Sequence, residues 1–597
     1  MLLPRLLPDP RALIAITAAA LPSLLAYNLS PSPTYLNQAL AFTLWAGFVM
    51  VCAPARPGRG PWAVWAALAL LAAAALGSWG PGALPASLAL STLGTLFAAA
   101  VLVAGGAGAR ARPDAEALFA AFCGAWVAAG ALNIGVALVQ VFWPDLPDGA
   151  WIAASGIPGR AVGNLRQPNH LSSLLLWHCI AVVALLELGR LKRRWASLLL
   201  AAAVFAVVLT ASRTGLVSVL VLAAWGLLDR RLSRPARLLL LAAPLAYLLS
   251  WLAMAQWATL TQHTFGGAQR LAESDITSSR VGIWRDTLTL IAQQPWTGVG
   301  FGEFNFAWTL TPLPQRPVAF FDHTHNLPLQ LAVELGLPLA TVVMALLLWA
   351  LWRGFRQAWA VPAGLGVAQR CAMLMVLMIG LHSLVEYPLW YSYFLLPAAW
   401  AWGFALQGPA RATAASNPPG VAAAAPALSP ATSRSVTAAA LLVAVGAALS
   451  VADYLRVAAI FSATPGAAPL EQRVAAGQRS VFFAHHADYA AVTSGLPLAD
   501  PAHAYDRVTH YLLDTRLMIA WAQSLAERGQ VDQARHIAER LREFRKADAA
   551  EFFELCAGAD GAAASVPSAA AATGEQPFQC TAPSRPPGWR SFLAAGF

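Results

Sequence analysis

The chain contains 597 residues, of which 58% are hydrophobic and only 11% are charged, whereas about 25% are charged in an ordinary soluble domain. This composition excludes a soluble globular fold. The formal net charge of +10 would suit a nucleic-acid partner only if the bases formed one exposed surface. Residues 461–597 hold 12 basic and 14 acidic residues, so the excess of bases lies wholly in the apolar part of the chain. We therefore expect no nucleic-acid partner.

Thirteen apolar segments, each long or nearly long enough to cross a membrane, follow one another almost to residue 460. A helix of about 20 residues spans the hydrocarbon core of a bilayer. The predicted spans are 12–27, 37–54, 62–79, 84–105, 116–143, 170–188, 195–210, 214–228, 236–256, 327–352, 370–386, 390–407 and 436–460. The sequence therefore predicts an all-α polytopic membrane protein with about 12 to 13 transmembrane helices. The first segment is predicted to be a retained anchor, because no clear small-residue cleavage site follows it.

The bases are distributed unevenly between the two sides that alternating spans create. Threading the spans from a cytoplasmic N-terminus places 19 bases in cytoplasmic segments and 7 in outer loops. Such a positive-inside bias sets the orientation of inner-membrane proteins. We therefore predict a cytoplasmic N-terminus, with the two large loops, 144–169 and 257–326, on the outer side of the membrane.

Composition also divides the chain into parts. Residues 1–407 are predicted to form a twelve-span membrane body that includes both large outer loops. Residues 408–435 are biased towards Pro, Ala, Ser and Thr, which indicates a flexible cytoplasmic linker that cannot bury a core. Residues 436–460 are then predicted to form an additional transmembrane helix, which leaves the C-terminal region on the outer side.

The C-terminal tail, residues 461–597, is predicted to lie on the outer side and to be helical. Two amphipathic stretches meet at Gly529 and resemble one tetratricopeptide hairpin, which is not stable without neighbours. From about residue 561, Ala, Pro and Ser dominate and predict disorder. Cys556 and Cys580 lie in this tail. If the outer side is an oxidising periplasm, it favours a disulfide between them, and two separate thiols are the equally weighted alternative.

The second large loop ends in the sequence FDHTHN, which carries His323 and His325 directly before an apolar run. His325 therefore sits at the predicted membrane edge, where a lipid-linked substrate presents its head group. A neutral imidazole there accepts a proton near pH 7. Two alternatives stay open from these residues alone. The His-x-His pair binds a metal, although no Cys and no clear third or fourth ligand accompany it, or the histidines serve only the loop structure.

Three of the seven arginines in the predicted outer loops are candidates for binding an anion. Arg213 occupies a very short turn between two apolar helices, where arginine is costly unless it meets an anion or a wet cavity. Arg280 and Arg285 lie in SSRVGIWRDTL, whose spacing suits a short amphipathic helix. Guanidinium groups bind phosphate oxygens in a two-pronged geometry, so these residues suit a diphosphate site beside a base. The alternatives are interfacial snorkelling of Arg213 and a solvated helix face for the other two.

Two further outer segments carry groups suited to sugar hydroxyls or phosphate. The first large loop contributes Arg166, Gln167 and Asn169 in the sequence LRQPNH, for which a plain turn with a helix cap is the alternative. Glu386 lies in the sequence VEYPLWY, whose aromatic residues suit an interfacial belt. A carboxylate at that depth calls for a partner. These four residues and His323 are the candidates for substrate binding.

A glycine-rich segment, GVGFG at residues 298–302, precedes the histidines. It lacks the Lys and the Ser or Thr of a loop that cradles nucleotide phosphates, and it lies in an outer loop where no ATP is expected. The segment is therefore predicted to be a tight backbone turn.

The order and spacing of these motifs resemble the bacterial O-antigen ligase and polymerase superfamily. The resemblance is carried by Gly163-Asn164-x-x-Gln167-Pro168-Asn169, Ser212-Arg213-Thr214-Gly215, Arg280 before Trp284, Pro295-x-x-Gly298-x-Gly300, His325-Asn326 with Gly336, and Glu386-Tyr387-Pro388-Leu389-Trp390-Tyr391. Within the superfamily, the chain is most similar to the protein O-oligosaccharyltransferases, the pilin-glycosylation ligases, over roughly residues 10–407. The extra span and the tail are similar to an added C-terminal region in that branch.

The resemblance implies a transferase of the Gram-negative inner membrane that takes a preassembled glycan from undecaprenyl diphosphate on the periplasmic side, so that the loops 144–169 and 257–326 and the tail lie in the periplasm. The acceptor would be a Ser or Thr hydroxyl of a periplasmic or pilin protein. By the same resemblance, His325 is the activating base, Arg213 and Arg280 hold the donor diphosphate, and neither a metal nor a nucleotide cofactor is used.

Other functions stay open on the sequence. The same chemistry serves an O-antigen ligase, which transfers the glycan to lipid A core, and an O-antigen polymerase, which transfers it to a growing chain. A polyprenyl-glycan flippase is a different class. A transporter should place charged groups along a midplane pathway or show repeated halves, whereas the candidates here cluster at the outer edge. We therefore favour an enzyme.

Overall fold

The computed structural model describes residues 9–272, 278–361, 364–408, 432–496, 501–557 and 576–593. These ranges contain α-helices, numbered α1 to α22, and short 3-10 turns, and no strand occurs within them. The helices are α1 (Pro10–Leu24), α2 (Tyr35–Cys52), α3 (Trp62–Trp79), α4 (Ala86–Arg110), α5 (Ala115–Phe142), α6 (Pro168–Glu187), α7 (Arg193–Thr210), α8 (Arg213–Leu228), α9 (Arg234–Thr261), α10 (Gly266–Ala272), α11 (Ser278–Gln293), α12 (Phe304–Leu310), α13 (Leu327–Ala360), α14 (Leu365–His382), α15 (Ser392–Leu406), α16 (Arg434–Phe461), α17 (Leu470–Gly477), α18 (Ala484–Thr493), α19 (Pro501–Val508), α20 (Thr515–Glu527), α21 (Val531–Glu543) and α22 (Ala550–Ala557). The predicted all-α class is confirmed.

The apolar helices match the predicted spans one for one. In the described ranges, ten helices are long and apolar enough to cross a membrane: α2, α3, α4, α5, α6, α7, α9, α13, α14 and α16. The other three predicted spans coincide with shorter apolar helices, α1, α8 and α15, of 15 or 16 residues. A multi-pass membrane protein is therefore supported, while the total of 12 to 13 spans and the division into domains stay predictions.

One compact unit comprises Met1–Leu68, Gly94–Ser274 and Ala345–Val451. Its centre is α6, which is apolar and buried on nearly every side, as expected for a helix without a polar face. Stacked and edge-on aromatic rings join the surrounding helices, with the Phe122 and Trp400 centroids 4.6 Å apart and Trp126 against Trp177 at 4.7 Å. Elsewhere glycine permits close backbone approach: a Cβ at Gly106 would lie 1.9 Å from the Trp400 carbonyl oxygen.

The second unit comprises Ala69–Leu93, Asp275–Met344 and Ala452–Phe597. Every residue of α12 is buried in its core, against aromatic residues of the tail. The predicted hairpin is confirmed as α20 and α21, joined at Gly529, whose φ of 77° suits glycine. The hairpin shares one apolar cluster with residues of α12, which supplies the neighbour that a single helical repeat needs.

The cysteines of the tail are paired. Cys556 and Cys580 form a disulfide that joins α22 to the C-terminal segment, so the disulfide alternative holds. Most of the predicted linker, residues 409–431, and residues 561–575 of the stretch predicted to be disordered lie outside the described residues. Residues 576–593 are described, and they contain two 3-10 turns and the bonded Cys580 where disorder was predicted up to about residue 590.

Candidate active site

His325 lies in a sharp turn at the start of α13. Its backbone is left-handed, with φ of 54°, a conformation uncommon for residues other than glycine. The neighbouring side chains hold this turn. The Thr324 hydroxyl donates to the Asn326 carbonyl at 2.8 Å, and Asn326 Oδ1 accepts the Leu329 amide at 2.9 Å as a helix N-cap. The amide of the buried Thr324 donates to Gln330 at 2.8 Å. Local capping thus places His325 at the entry of the helix.

The residues before the turn distinguish the two histidines. His323 Nδ1 lies 2.7 Å from Asp322 Oδ1. The Asp322 side chain is about half exposed. Neighbouring protein atoms oppose its ionisation, but attraction to His323 and the short contact with its ring lower the pKa of that carboxyl below its ordinary value. The ring of His325 instead meets Phe321 edge to face, with centroids 5.4 Å apart. Within the described ranges, no group of three or more His, Cys, Asp or Glu side chains is arranged to hold a metal.

Helix α11, which carries the candidate Arg280, contacts the histidine turn, residues 323–326. The Trp284 indole N–H donates to the Thr324 carbonyl at 2.9 Å. Arg280 lies one helical turn earlier on the same face. The half-exposed Arg285 lies on another face, where its guanidinium donates to the Gln315 carbonyl at 3.0 Å. The two arginines are thereby separated, and Arg280 shares the face that contacts the histidine turn. The predicted amphipathic helix is confirmed as α11.

The glycine-rich segment 298–302 supports a break in α13. Gly336 has φ of 75° and ψ of 161°, which interrupts the helical hydrogen bonding. The main-chain carbonyls of Val333 and Glu334 accept amides from the segment at 2.8 and 3.1 Å. All three of its glycines have positive φ, so the predicted tight turn is confirmed. Its function in the fold is to satisfy carbonyls that the broken helix leaves unpaired.

In the other unit, Asn169 joins three of the predicted motifs. Its Nδ2 donates to Glu386 at 2.9 Å, and its Oδ1 accepts the Ser212 hydroxyl at 2.7 Å. Gln167 and Ser212 cap α6 and α8, each by accepting a main-chain amide three residues later, at 2.8 and 3.0 Å. The buried Glu386 therefore has the partner that a carboxylate at its depth requires.

The two candidate arginines of this unit, Arg213 and Arg166, have different surroundings. Arg213 is the first residue of α8, beside the Ser212 cap, and its exposed guanidinium lies 3.4 Å from the Arg270 carbonyl. Arg166 is half-buried and donates to the main-chain carbonyls of Ala26 and Pro33. Burial lowers the pKa of Arg166. Arg166 thus binds the α1–α2 connection, as the structural alternative for this loop predicts, whereas Arg213 keeps the exposure that an anion ligand needs.

The predicted residues therefore fall into two groups. His323, His325 and Arg280 belong to one unit, and Arg166, Gln167, Asn169, Arg213 and Glu386 belong to the other. Two residues that lie close to these groups, Ser212 and Asn305, were not predicted to contribute to the site. Ser212, which stands before an apolar run, carries the usual signal of an N-cap. Asn305, whose buried amide donates to the Phe321 carbonyl at 2.7 Å, carries no sequence signal.

Known families match the chain in three successive segments. Residues 161–186 match a model described as protein glycosylation ligase, residues 196–344 match O-antigen ligase, and residues 371–553 match the C-terminal part of a virulence-factor membrane-bound polymerase. These matches confirm the resemblance that the motifs carry. The third segment includes much of the tail.

Two relatives from Acinetobacter baylyi are similar to the chain. One, named general O-oligosaccharyltransferase, is 27% identical over 252 residues, which are 41% of this chain and 43% of the relative. The other, named ComP-specific O-oligosaccharyltransferase, is 25% identical over 285 residues, which are 46% of this chain and 47% of the relative. Each match spans less than half the length of the relative.

Proposed function

We propose that this protein is a lipid-linked oligosaccharide:protein O-transferase. It takes a preassembled glycan from undecaprenyl diphosphate and transfers it to Ser or Thr hydroxyls of periplasmic or pilin proteins. The names of both relatives support the reaction class. The distribution of bases supports a cytoplasmic N-terminus, with the active site and the tail in the periplasm.

The proposed reaction is a single displacement. The acceptor oxygen attacks the anomeric carbon while His325 takes the hydroxyl proton, because a neutral hydroxyl is a poor nucleophile. The bond from the anomeric carbon to the diphosphate oxygen breaks, and undecaprenyl diphosphate leaves with the electron pair. Arg280 and Arg213 stabilise the negative charge that grows on the leaving group. The configuration at the anomeric carbon is inverted.

One observation carries the assignment of the base and its arginine. The Trp284 indole joins α11 to the Thr324 carbonyl, next to His325, on the helix face that bears Arg280. The choice of His325 over His323 as the base follows the family resemblance, because an imidazole whose Nδ1 faces a carboxylate, as that of His323 faces Asp322, can still take a proton at Nε2. Asn169 and Glu386 are proposed to bind substrate beside Arg213, and Arg166 and Gln167 to shape that loop.

The assignment is tested with purified protein in lipid nanodiscs, a lipid-linked glycan and an acceptor peptide. We expect His325→Gln to lower kcat by a factor of about 100 or more, as loss of a general base does. Arg280→Lys should lower it at least tenfold, because an ammonium cannot reproduce two-pronged phosphate binding. The matched control is Arg285→Lys on the same helix, which should keep the wild-type rate. Wild-type transfer by His325→Gln would refute the base assignment.

The acceptor is tested in cells with and without the gene. Mass spectrometry of periplasmic and pilus proteins should show loss of Ser- or Thr-linked glycans when the gene is deleted. Intact glycoproteins with altered lipopolysaccharide would instead favour the O-antigen ligase alternative, and shortened glycan chains would favour the polymerase. Movement of lipid-linked glycan from one leaflet of a vesicle membrane to the other, without any new covalent product, would identify a flippase.

A further inference from the structure

The start of α12 is bound by a turn of the C-terminal tail. Glu303 Oε2 lies 2.6 Å from His510 Nδ1, and both side chains are buried. The ring of His510 also stacks on Phe306, with centroids 4.5 Å apart and planes 16° from parallel. Between these contacts, Asn305 Oδ1 accepts the Leu513 amide at 2.9 Å. Three neighbouring residues of the loop thus contact one short tail segment.

The side chain of Asn305 binds both the tail and the segment Phe321–His325, which contains the proposed base. Its Oδ1 accepts the amide of Leu513, and its Nδ2 donates to the Phe321 carbonyl at 2.7 Å. Both bonds require the same orientation of the amide, because an N–H must donate to the oxygen and a carbonyl must accept from the nitrogen. Asn305 is only 3% exposed, so water does not compete freely for either bond.

Phe321 continues this connection to His325. Its ring meets the imidazole edge to face, with centroids 5.4 Å apart at 88°, and meets the Trp308 ring at 5.8 Å. The position of the Phe321 ring depends on its main chain, which Asn305 holds. A displacement of that main chain therefore changes the surface on which the imidazole of His325 packs.

We propose that Asn305 is a positioning residue through which the C-terminal tail orients His325. The tail is then part of the machinery that aims the base, in addition to any contact with an acceptor. This inference rests on the proposed function for its kinetic consequence. Its structural consequence, an ordered Phe321–His325 segment that depends on Asn305, is independent of the reaction.

The decisive variant is Asn305→Asp in the full-length protein. The carboxylate keeps the acceptor for Leu513 but places an oxygen against the Phe321 carbonyl, so only the loop half of the connection breaks. The matched control is Gln533→Glu, the same amide-to-acid change in a partly exposed tail residue whose side chain donates to the Ser591 carbonyl at 3.1 Å.

We expect Asn305→Asp to lower kcat about tenfold or more, because a base displaced by a fraction of an ångström loses its alignment. The KM for the lipid-linked donor should stay within about twofold, since no donor contact is removed. Gln533→Glu should leave both constants unchanged. A kcat for Asn305→Asp within twofold of wild type would overturn the proposal.

A double-mutant cycle separates positioning from general destabilisation. Phe321→Leu removes the ring but keeps the carbonyl that Asn305 binds. If Asn305 acts through Phe321, the double variant should be about as active as the weaker single variant. Losses that multiply would show that Asn305 acts by another route and would overturn the inference.

Hydrogen exchange gives a readout that needs no enzymatic activity. Amides of residues 318–326 should exchange several-fold faster in Asn305→Asp than in wild type or Gln533→Glu. Unchanged exchange would refute the coupling. A wild-type protein that transfers no glycan would refute the proposed function and leave this measurement to decide the inference. If Asn305→Asp does not accumulate, Asn305→Ser removes the same donor without burying a charge.

Discussion

The packing of the C-terminal tail against α12 should be less stable in acid, because it includes a buried neutral histidine. The side chain of His536 is fully buried, and its Nε2 donates to the Leu310 carbonyl at 2.8 Å. Its Nδ1 has no hydrogen-bond partner among the described residues. Burial lowers the pKa of His536 from 6.5 to about 4, with smaller contributions from the positive charges of Arg540 and Arg316, while Glu539 and the bond to Leu310 oppose the shift.

The direction of the pH effect follows from proton binding. Between pH 6.5 and about 4, the unfolded chain binds a proton at His536 that the folded protein does not bind, so the free energy of unfolding falls as the pH falls. A pKa lowered from 6.5 to about 4 reduces the free energy of unfolding by about 3 kcal/mol once the pH is well below 4. Between pH 7.5 and 4.5 the reduction is about 2.5 kcal/mol. For a unit of this size, that corresponds to a loss of about 5–10 °C in denaturation temperature.

The assay compares wild type and His536→Gln in detergent at pH 7.5 and 4.5, at one scan rate. A glutamine amide donates to the same carbonyl as Nε2 does but does not titrate. Carboxylates that titrate in this range affect both proteins equally, so the difference between them reports His536. We expect the wild type to lose about 5–10 °C more than the variant between the two pH values. Equal losses would refute the argument.

Three further perturbations test the supports of the proposed site by their denaturation temperatures. Gly298→Ala should destabilise by about 2 kcal/mol or more, because its Cβ would lie 2.4 Å from a main-chain carbonyl oxygen at positive φ; an unchanged temperature would contradict the close approach. Glu543→Gln leaves two buried arginines without their shared carboxylate and should cost about 3 kcal/mol, whereas Glu539→Gln, whose side chain is 44% exposed, should cost much less. The double variant Cys556→Ser with Cys580→Ser should be about 3 kcal/mol less stable than oxidised wild-type protein, because the bond closes a loop. The difference should be smaller against reduced wild-type protein, and the opposite order would contradict the prediction.

Several features of the site were readable from the sequence because they are local. Asn326 caps α13 and Gln167 caps α6 within three residues of their own positions. Arg280 and Trp284 share a face because they are four residues apart on one helix. The positive φ at Gly529 and the tight turn at 298–302 follow from glycine itself.

Other features depend on residues that are remote in the chain. The role of Asn305 requires Leu513, 208 residues away, and Asn169 meets Glu386 across 217 residues. An asparagine amide pairs with any nearby donor or acceptor, so its partner carries no spacing signal. The break at Gly336 was likewise not predicted, since the apolar run continues through it.

By itself, the sequence determined the helical class, the order of the apolar helices in the described part of the chain, the hairpin at Gly529 and the presence of His325 at a helix entry. These follow from hydrophobic periodicity, glycine and short-range capping, all of which act over a few residues. Only the tertiary structure decided that His323 and His325 have different partners, that Cys556 and Cys580 are bonded, and that the tail contacts the loop of the proposed base through Asn305. Such partners are selected by packing in three dimensions, which no local pattern encodes.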